Sequence, residues 1–328
     1  MVEVKITDRQ LVSKTKEYAK RIFRHESGVL FTILVTLIIV MGALTRGKAV
    51  TLTNVSNVLL QSATRGVVAI GEMFVLLTAG IDLSVGGIAI LCFMTSANLM
   101  KGTEGFPIGP IAVMFMIGIG MGSVNGSLVS RVPMPSVIVT LATWEMLGGL
   151  AWLISEGLPV VNLPQALAVI GTGRVGQLPV AAIIFIVVAV VAHLVLNYTT
   201  FGRSVYAVGG NPLSAWLSGI KVPNIIFSVY LISGFCAALG GLIIMSRIMS
   251  GSMSAGGGLE LDAIAAVLIG GISLAGGRGS VLGAVIGVFI IGIINNGMNL
   301  LVVKPAFQDI IKALVIIGAV AVDYKRRR

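Results

Sequence analysis

Long apolar runs separated by short polar or charged breaks fill the chain from residue 28 onwards. A membrane helix takes about 20 apolar residues to cross roughly 30 Å of hydrocarbon, and runs near that length recur ten times. The runs cover residues 28–44, 66–79, 84–100, 108–129, 136–154, 178–197, 224–246, 261–275, 281–301 and 307–322. This pattern predicts an all-α polytopic membrane protein with about ten transmembrane helices, some of them short or broken.

The composition agrees with a membrane protein, because 56% of the residues are hydrophobic, 11% are charged and the mean hydropathy is +1.01. Two glycine pairs, Gly122 with Gly126 and Gly283 with Gly287, have the spacing that lets helix backbones approach closely. We therefore expect helix contacts at both pairs. The chain has 2 cysteines, and both lie in apolar runs, where they act as small hydrophobic side chains.

The net charge of +10 comes mainly from basic residues at the two ends of the chain and in short loops. Lys and Arg accumulate on the cytoplasmic side of membrane proteins, so this distribution predicts that both termini are cytoplasmic. Arg65 and Arg247 are then among the few basic residues in outer loops. The chain divides into a cytoplasmic segment 1–27, a transmembrane domain 28–323 and a basic cytoplasmic tail 324–328. Because membrane orientation accounts for the charge, we expect no nucleic-acid partner.

The polar break before the seventh run carries the signals of a short helix with defined ends. Asn211 is suited to cap the helix, Pro212 suits its first position, and Gly219 suits the left-handed conformation that stops it. The predicted helix, Pro212–Ser218, is about 10 Å long and too short to be stable alone. It either lies in the membrane interface with Trp216 among the headgroups, or it acts as a lever pressed by a soluble partner.

The segment Gly80–Gly87 interrupts an apolar stretch that runs from Gly66 to Met100. One helix of that length would be longer than the bilayer is thick, whereas two full crossings need about 40 residues plus a turn. We therefore expect short or broken helices here, with Asp82 able to cap the second one. Broken helices with polar ends also line substrate routes, so Asp82 is either a helix cap or a group that faces such a route.

Several other polar residues lie inside the predicted spans. An ionised side chain near the bilayer centre costs about 2.5–3.5 kcal/mol, so these groups should face the bundle interior, an aqueous cavity or each other. The candidates for lining a translocation route are Glu72, Asp82, Asn125, Glu145 and Asn295. The alternative for Glu72 and Glu145 is a hydrogen-bonded packing role near a helix end.

A weak internal repeat relates the two halves of the chain. The pattern Gly118…Asn125…Pro135 recurs as Gly287…Asn295…Pro305, with the same spacing from Asn to Pro. Repeated halves around a central route are frequent in transporters.

Three segments, in order, carry a resemblance to a known family. They are Gly80-Ile-Asp-Leu-Ser-Val-Gly86, then Thr200-Phe-Gly-Arg with Ala207-Val-Gly-Gly-Asn-Pro212, then Glu260-Leu-Asp-Ala-Ile-Ala-Ala with Gly270-Gly-Ile-Ser-Leu-Ala-Gly-Gly277. Over nearly its whole length the chain resembles the membrane-spanning permease of bacterial ABC importers for monosaccharides of the ribose, xylose, arabinose and galactose type.

The resemblance implies a multi-pass subunit of the bacterial inner membrane that works as a pair of permeases, in the simplest case a homodimer. It also implies an ATPase subunit on the cytoplasmic face and an extracytoplasmic sugar-binding protein on the other. Residues 198–223 become the segment that couples the permease to the ATPase. The residues that the resemblance assigns to this coupling are Arg203, Gly209, Asn211, Pro212 and Trp216.

Other functional classes have less support in the residues. Gly42–Ala49 has the spacing of a phosphate-binding loop, but Ala49 stands where magnesium binding needs Ser or Thr. No nucleophile–base set or metal-ligand motif is visible, so we expect a permease without a cofactor and without catalysis of its own. The open alternatives are an ion-coupled secondary transporter that uses its intramembrane carboxyls, and an ABC permease for a nucleoside or a branched-chain amino acid.

Overall fold

A computed structural model describes residues 26–326, and these residues fold almost entirely into helices. The predicted segment 1–27 therefore lies mostly outside the described residues, and the predicted tail 324–328 lies partly outside them. The helices are α1 (Glu26–Leu44), α2 (Leu52–Leu77), α3 (Val85–Met100), α4 (Ile108–Ser130), α5 (Ser136–Ser155), α6 (Ala168–Thr172), α7 (Val180–Tyr198), α8 (Thr200–Gly210), α9 (Pro212–Leu217), α10 (Val222–Ile248), α11 (Leu259–Ile269), α12 (Val281–Leu300) and α13 (Pro305–Arg326). One small antiparallel pair of strands, β1 (Arg174–Val175) and β2 (Leu178–Pro179), lies between α6 and α7.

The prediction of an all-α polytopic membrane protein is confirmed, and a helix lies in each of the ten predicted runs. Among the described residues, 6 helices are long and apolar enough to cross a membrane, namely α2, α4, α5, α7, α10 and α12. Two shorter apolar helices, α1 and α3, accompany them. Helix α11 is only 11 residues long, about 16 Å, so the prediction of short helices also holds.

The predicted bounds of two runs were wrong. Helix α2 begins at Leu52 and not near residue 66, because the Thr51 side chain accepts a hydrogen bond from the Asn54 N–H at 3.3 Å and caps it. Arg65 therefore lies inside a helix, and so does Arg247, although both were assigned to outer loops. Helix α11 stops at Ile269, since Gly271 has a positive φ of 83° that ends the helix.

Helices α2 and α10 form the centre of the bundle, and glycines allow the closest approach to them. Gly118 of α4 lies against the Gly234 carbonyl of α10, and Gly122 lies against the Tyr230 carbonyl. A side chain at either glycine would overlap with that backbone. Gly126 continues the same face one turn further on, so the first predicted glycine pair lies at a helix contact as expected.

The second predicted glycine pair is also at a helix contact. Gly283 of α12 faces the Gly270 carbonyl at the end of α11, and Gly287 faces the Ala266 carbonyl. These contacts hold the short helix α11 against a full-length neighbour, which supplies the packing that so short a helix needs.

The bundle has two distinct ends. At one end, the α8–α9 segment packs against the turn after α2, and Gly277 donates a backbone hydrogen bond to the Leu77 carbonyl at 2.9 Å. At the other end, the chain between α5 and α7 meets the segment after α10, through paired backbone hydrogen bonds of 2.8 Å between Val160 and Gly251. Helix α7 connects the two ends.

Replacing Gly118 by Val should destabilise the protein by about 1–3 kcal/mol or more, because the new side chain would overlap with the backbone of α10. Gly120→Val is the matched control, since the space beside Gly120 on the same helix is open. Thermal unfolding of the purified variants measures the difference. Equal loss in both variants would contradict the close packing of α4 on α10.

Candidate functional site

The turn between α2 and α3 holds a carboxyl group that is fully enclosed. Asp82 is 0% exposed, and its Oδ1 accepts hydrogen bonds from the Ser84 N–H at 3.0 Å and the Ser84 hydroxyl at 2.5 Å. Its Oδ2 accepts a hydrogen bond from the Ser233 hydroxyl of α10 at 2.7 Å. Helix α3 begins after Ser84, whose own side chain makes no capping bond. Asp82 thus fixes the residue that precedes α3, which corrects the expectation that it caps the helix itself.

A second carboxyl group supports the same turn from α2. Glu72 is also 0% exposed, and its Oε1 accepts a hydrogen bond from the Asp82 N–H at 3.1 Å. Its Oε2 has no hydrogen-bond partner within residues 26–326. In the same part of the chain, neither carboxyl belongs to a salt bridge. Glu72 and Asp82 are therefore held by neutral hydrogen-bond donors alone.

Two further helices join this network through Asn125. Its Nδ2 donates a hydrogen bond to the Ser84 hydroxyl at 2.8 Å, and its Oδ1 accepts one from the Thr143 hydroxyl of α5 at 2.7 Å. The network consequently connects α2, α4, α5 and α10 at the start of α3. Glu72, Asp82 and Asn125 were all predicted as route residues, and the structure brings these three together in the interior without exposing any of them.

The other two route candidates lie apart from that network. Asn295 of α12 is 4% exposed, and neither its Oδ1 nor its Nδ2 has a hydrogen-bond partner among the described residues. In the proposed repeat Asn295 corresponds to Asn125, so one of the two amides is hydrogen-bonded through both its Oδ1 and its Nδ2, and the other has no hydrogen-bond partner among the described residues. Glu145, in contrast, is exposed on the outer face of α5.

The exposed face of α5 combines this carboxyl with apolar and small residues. Along one side of the helix, Ile138, Leu141, Glu145, Gly149 and Leu153 are exposed, whereas the opposite side carries buried residues toward α3. A carboxyl in the middle of an apolar helix of 20 residues is costly in lipid. This face therefore calls for water or another protein surface, and lipid alone would not suit it.

Helix α9 lies exposed at one end of the bundle and has the capping residues that the sequence predicted. The Asn211 Oδ1 accepts a hydrogen bond from the Ser214 N–H at 2.9 Å, and Pro212 occupies the first helical position. Gly219 has a positive φ of 84°, and the Ile220 N–H bonds to the Ala215 carbonyl at 3.1 Å, as in a Schellman end. The helix ends at Leu217, one residue before the predicted position.

Large apolar side chains cover the outside of α9. Leu213, Trp216 and Leu217 are 65%, 62% and 72% exposed, while only Ala215 of this helix is buried. Arg203 and Asn211 are exposed on the same segment. An end of the molecule that presents three such side chains together is typical of a surface that another protein or the membrane covers.

Helix α8, which comes directly before α9, was not predicted from the sequence. The signal was present, because the Thr199 hydroxyl oxygen accepts a hydrogen bond from the Gly202 N–H at 3.1 Å and caps α8. Gly209 near the end of α8 is buried against the Leu77 carbonyl and lies close to the Gly277 N–H. Its place in the α8–α9 segment is therefore that of a close-packed anchor, which differs from the exposed position of Arg203.

Comparison with known proteins places this geometry in context. Residues 54–320 match a family model described as the branched-chain amino acid transport system / permease component. The ribose import permease protein of Haemophilus influenzae is 42% identical over 82% of this chain and 84% of its own length. The D-allose transport system permease protein of Escherichia coli is 36% identical over 95% of each chain. The fructose import permease protein of Rhizobium meliloti is 35% identical over 92% of this chain and 86% of its own. No solved structure matches the chain significantly.

Replacing Asp82 by Asn should leave stability within about 1 kcal/mol of the original, because an amide keeps an acceptor for Ser84 and offers a donor to the Ser233 hydroxyl. Asp82→Leu should cost about 2 kcal/mol or more, since it leaves buried polar partners unsatisfied. Thermal unfolding of both variants measures the difference. A loss as large for Asn as for Leu would mean that the negative charge itself holds the turn.

Proposed function

This chain belongs to the family of branched-chain amino acid transport system permease components, and we propose that it is the permease subunit of an ATP-driven ABC importer for a monosaccharide. The observation that carries the cargo class is the similarity to permeases named for ribose, D-allose and fructose, at 35–42% identity over 82–95% of this chain. A branched-chain amino acid is the second candidate cargo, because the family model is described by that class.

The α8–α9 segment is the proposed contact with the ATPase subunit. Its exposed residues Leu213, Trp216 and Leu217 would fill an apolar groove on that partner, and Arg203 and Asn211 would flank them. Asn211 and Pro212 separate α9 from α8, because Asn211 caps the N-terminus of α9 and Pro212 is its first residue. Gly209 would act indirectly, by holding the segment on the turn after α2. This assignment makes the α8–α9 end cytoplasmic.

The exposed face of α5 is the proposed wall of the translocation route. A second copy of the permease facing this side would enclose an aqueous path between the two chains. Glu145 would then accept hydrogen bonds from sugar hydroxyls, and the exposed Gly149 would leave room for the sugar. Because Glu72, Asp82 and Asn125 are enclosed, we assign them to the support of this wall, behind Thr143. Asn295 remains a candidate for a route residue on α12.

The opposite end would receive cargo from an extracytoplasmic sugar-binding protein. The chain between α5 and α7 forms the largest connection at that end and pairs with the segment after α10. The whole assembly would lie in the bacterial plasma membrane and contain two permeases and the ATPase subunits. Energy for transport would come from the ATPase, with no catalytic step or cofactor in the permease.

Purification of the chain from its native host in mild detergent, followed by mass spectrometry, tests the proposed assembly. We expect an ATPase subunit and two permease copies in stoichiometric amounts. Uptake into vesicles should require ATP and the delivered sugar, and a proton gradient alone should not support it. Uptake of a branched-chain amino acid in place of the sugars would establish the second cargo. Uptake driven by the gradient without ATP would establish an ion-coupled carrier and refute the proposal.

Changing Leu217 to Ser or Trp216 to Ala should weaken binding of the purified ATPase at least tenfold, about 1.4 kcal/mol, because each removes a large apolar contact. ATP-driven uptake in proteoliposomes should fall in parallel. Leu158→Ser is the matched control for ATPase binding, since Leu158 is 67% exposed but lies at the other end of the bundle. Unchanged ATPase affinity in the Leu217 and Trp216 variants would remove α9 from the interface.

A further inference from the structure

A second group of charged residues lies between α2, α10 and α11, and the proposed transport mechanism does not use it. Arg65 of α2 forms a salt bridge from its Nε to Asp262 Oδ2 of α11 at 2.6 Å. Lys312 of α13 approaches the other oxygen of the same carboxylate, with 3.7 Å between Nζ and Oδ1. The Asp262 side chain is 8% exposed, and its carboxylate is shared between these two cations.

One further cation lies beside this group without a counter-charge. Arg247, in the last turn of α10, lines the same cleft as Arg65 and Asp262. Across the described chain, Arg247 forms neither a salt bridge nor a side-chain hydrogen bond. Asp262 cannot balance it, because its carboxylate is already paired with Arg65 and Lys312. Half-buried positive charge in excess is unfavourable in an apolar bundle and attracts an anion.

The same cleft contains a polar group that has no partner. Thr64 precedes Arg65 on α2 and is 3% exposed, and its hydroxyl has no hydrogen-bond partner within residues 26–326. The cleft has an internal volume of about 60 Å³, against the roughly 10–15 Å³ that one water molecule needs. The Arg247 guanidinium therefore lines a space that can hold a small group, and the enclosed Thr64 hydroxyl beside it is a second donor without a partner among the described residues.

We propose that this cleft binds a phosphate group. Two guanidiniums provide the forked donors that match phosphate oxygens, and the Thr64 hydroxyl provides one more donor. The net positive charge of the lining favours a phosphate over a neutral sugar, so the site is distinct from the cargo route along α5. The phosphate comes from one of two sources. It belongs either to the headgroup of an anionic lipid, which basic pockets between membrane helices can bind, or to free phosphate in solution.

The test uses the full-length chain in nanodiscs of phosphatidylcholine, a zwitterionic lipid. One arm adds phosphatidylglycerol to the nanodisc, and the other adds inorganic phosphate to the solution. Thermal unfolding reports stabilisation, and native mass spectrometry counts retained lipid. We expect one of the two arms to raise the unfolding temperature in a saturable manner. Lipid retention identifies the headgroup as the source, and a response to phosphate alone identifies the soluble ion.

Variants assign the effect to the cleft. Arg247→Gln and Thr64→Val should each weaken the response at least tenfold, and Thr64→Val keeps both the charge and the size of the side chain. Arg131→Gln is the charge-matched control, since Arg131 is exposed and lies over Phe227 near the start of α10, at the opposite end of that helix from Arg247. A response in neither arm would overturn the proposal, and so would an equal response in all variants. Saturation by ribose that depends on Thr64 and Arg247, without a response to phosphate, would make the cleft a sugar site and also overturn it.

Discussion

The arrangement of the central helices depends on the hydrogen bonds of one buried side chain, the carboxyl group of Asp82. It fixes the start of α3, binds α10 through Ser233, and receives support from Glu72 of α2. A turn in the interior of an apolar bundle leaves backbone N–H groups without helical partners, and these must find acceptors. Asp82 and Glu72 provide those acceptors for the Ser84 and Asp82 N–H groups. The broken helix pair α2–α3 is therefore compatible with its apolar surroundings because two carboxyls replace water at the break.

The polar network also explains why α5 has two unlike faces. Thr143 turns inward and bonds to Asn125, whereas Glu145 two residues later points outward. The inner face is completed within one chain, and the outer face is not. In the proposed importer, cargo would pass along a surface that one chain leaves uncovered, and internal residues would hold that surface in place.

Hydrophobic pattern was sufficient to predict the helical fold, since every apolar run became a helix and both glycine pairs became contacts. The ends of α9 were predictable too, because Asn211, Pro212 and Gly219 act on neighbouring residues. Long-range polar partners could not be predicted in this way. Asp82 and Ser233 are 151 residues apart, and nothing local in either segment indicates the other. Arg65 was assigned to a loop for the same reason, since its charge is tolerated inside α2 only because Asp262 lies beside it. Glu145 was recognised as polar within a span, but which face of α5 it occupies depends on packing against α3 and α4.

The contact between Gly209 and the turn after α2 has a mechanical consequence. Here main chain rests directly on main chain, because Gly209 has no side chain and Gly277 bonds to the Leu77 carbonyl beside it. No side chain lies at this contact that could change its rotamer and absorb a small displacement, so the contact should be rigid. Movement of α8 would therefore be passed directly to Leu77, five residues before Asp82. A conformational change in a partner bound at the membrane surface would thereby displace the backbone in the interior of the bundle, over a path only a few residues long.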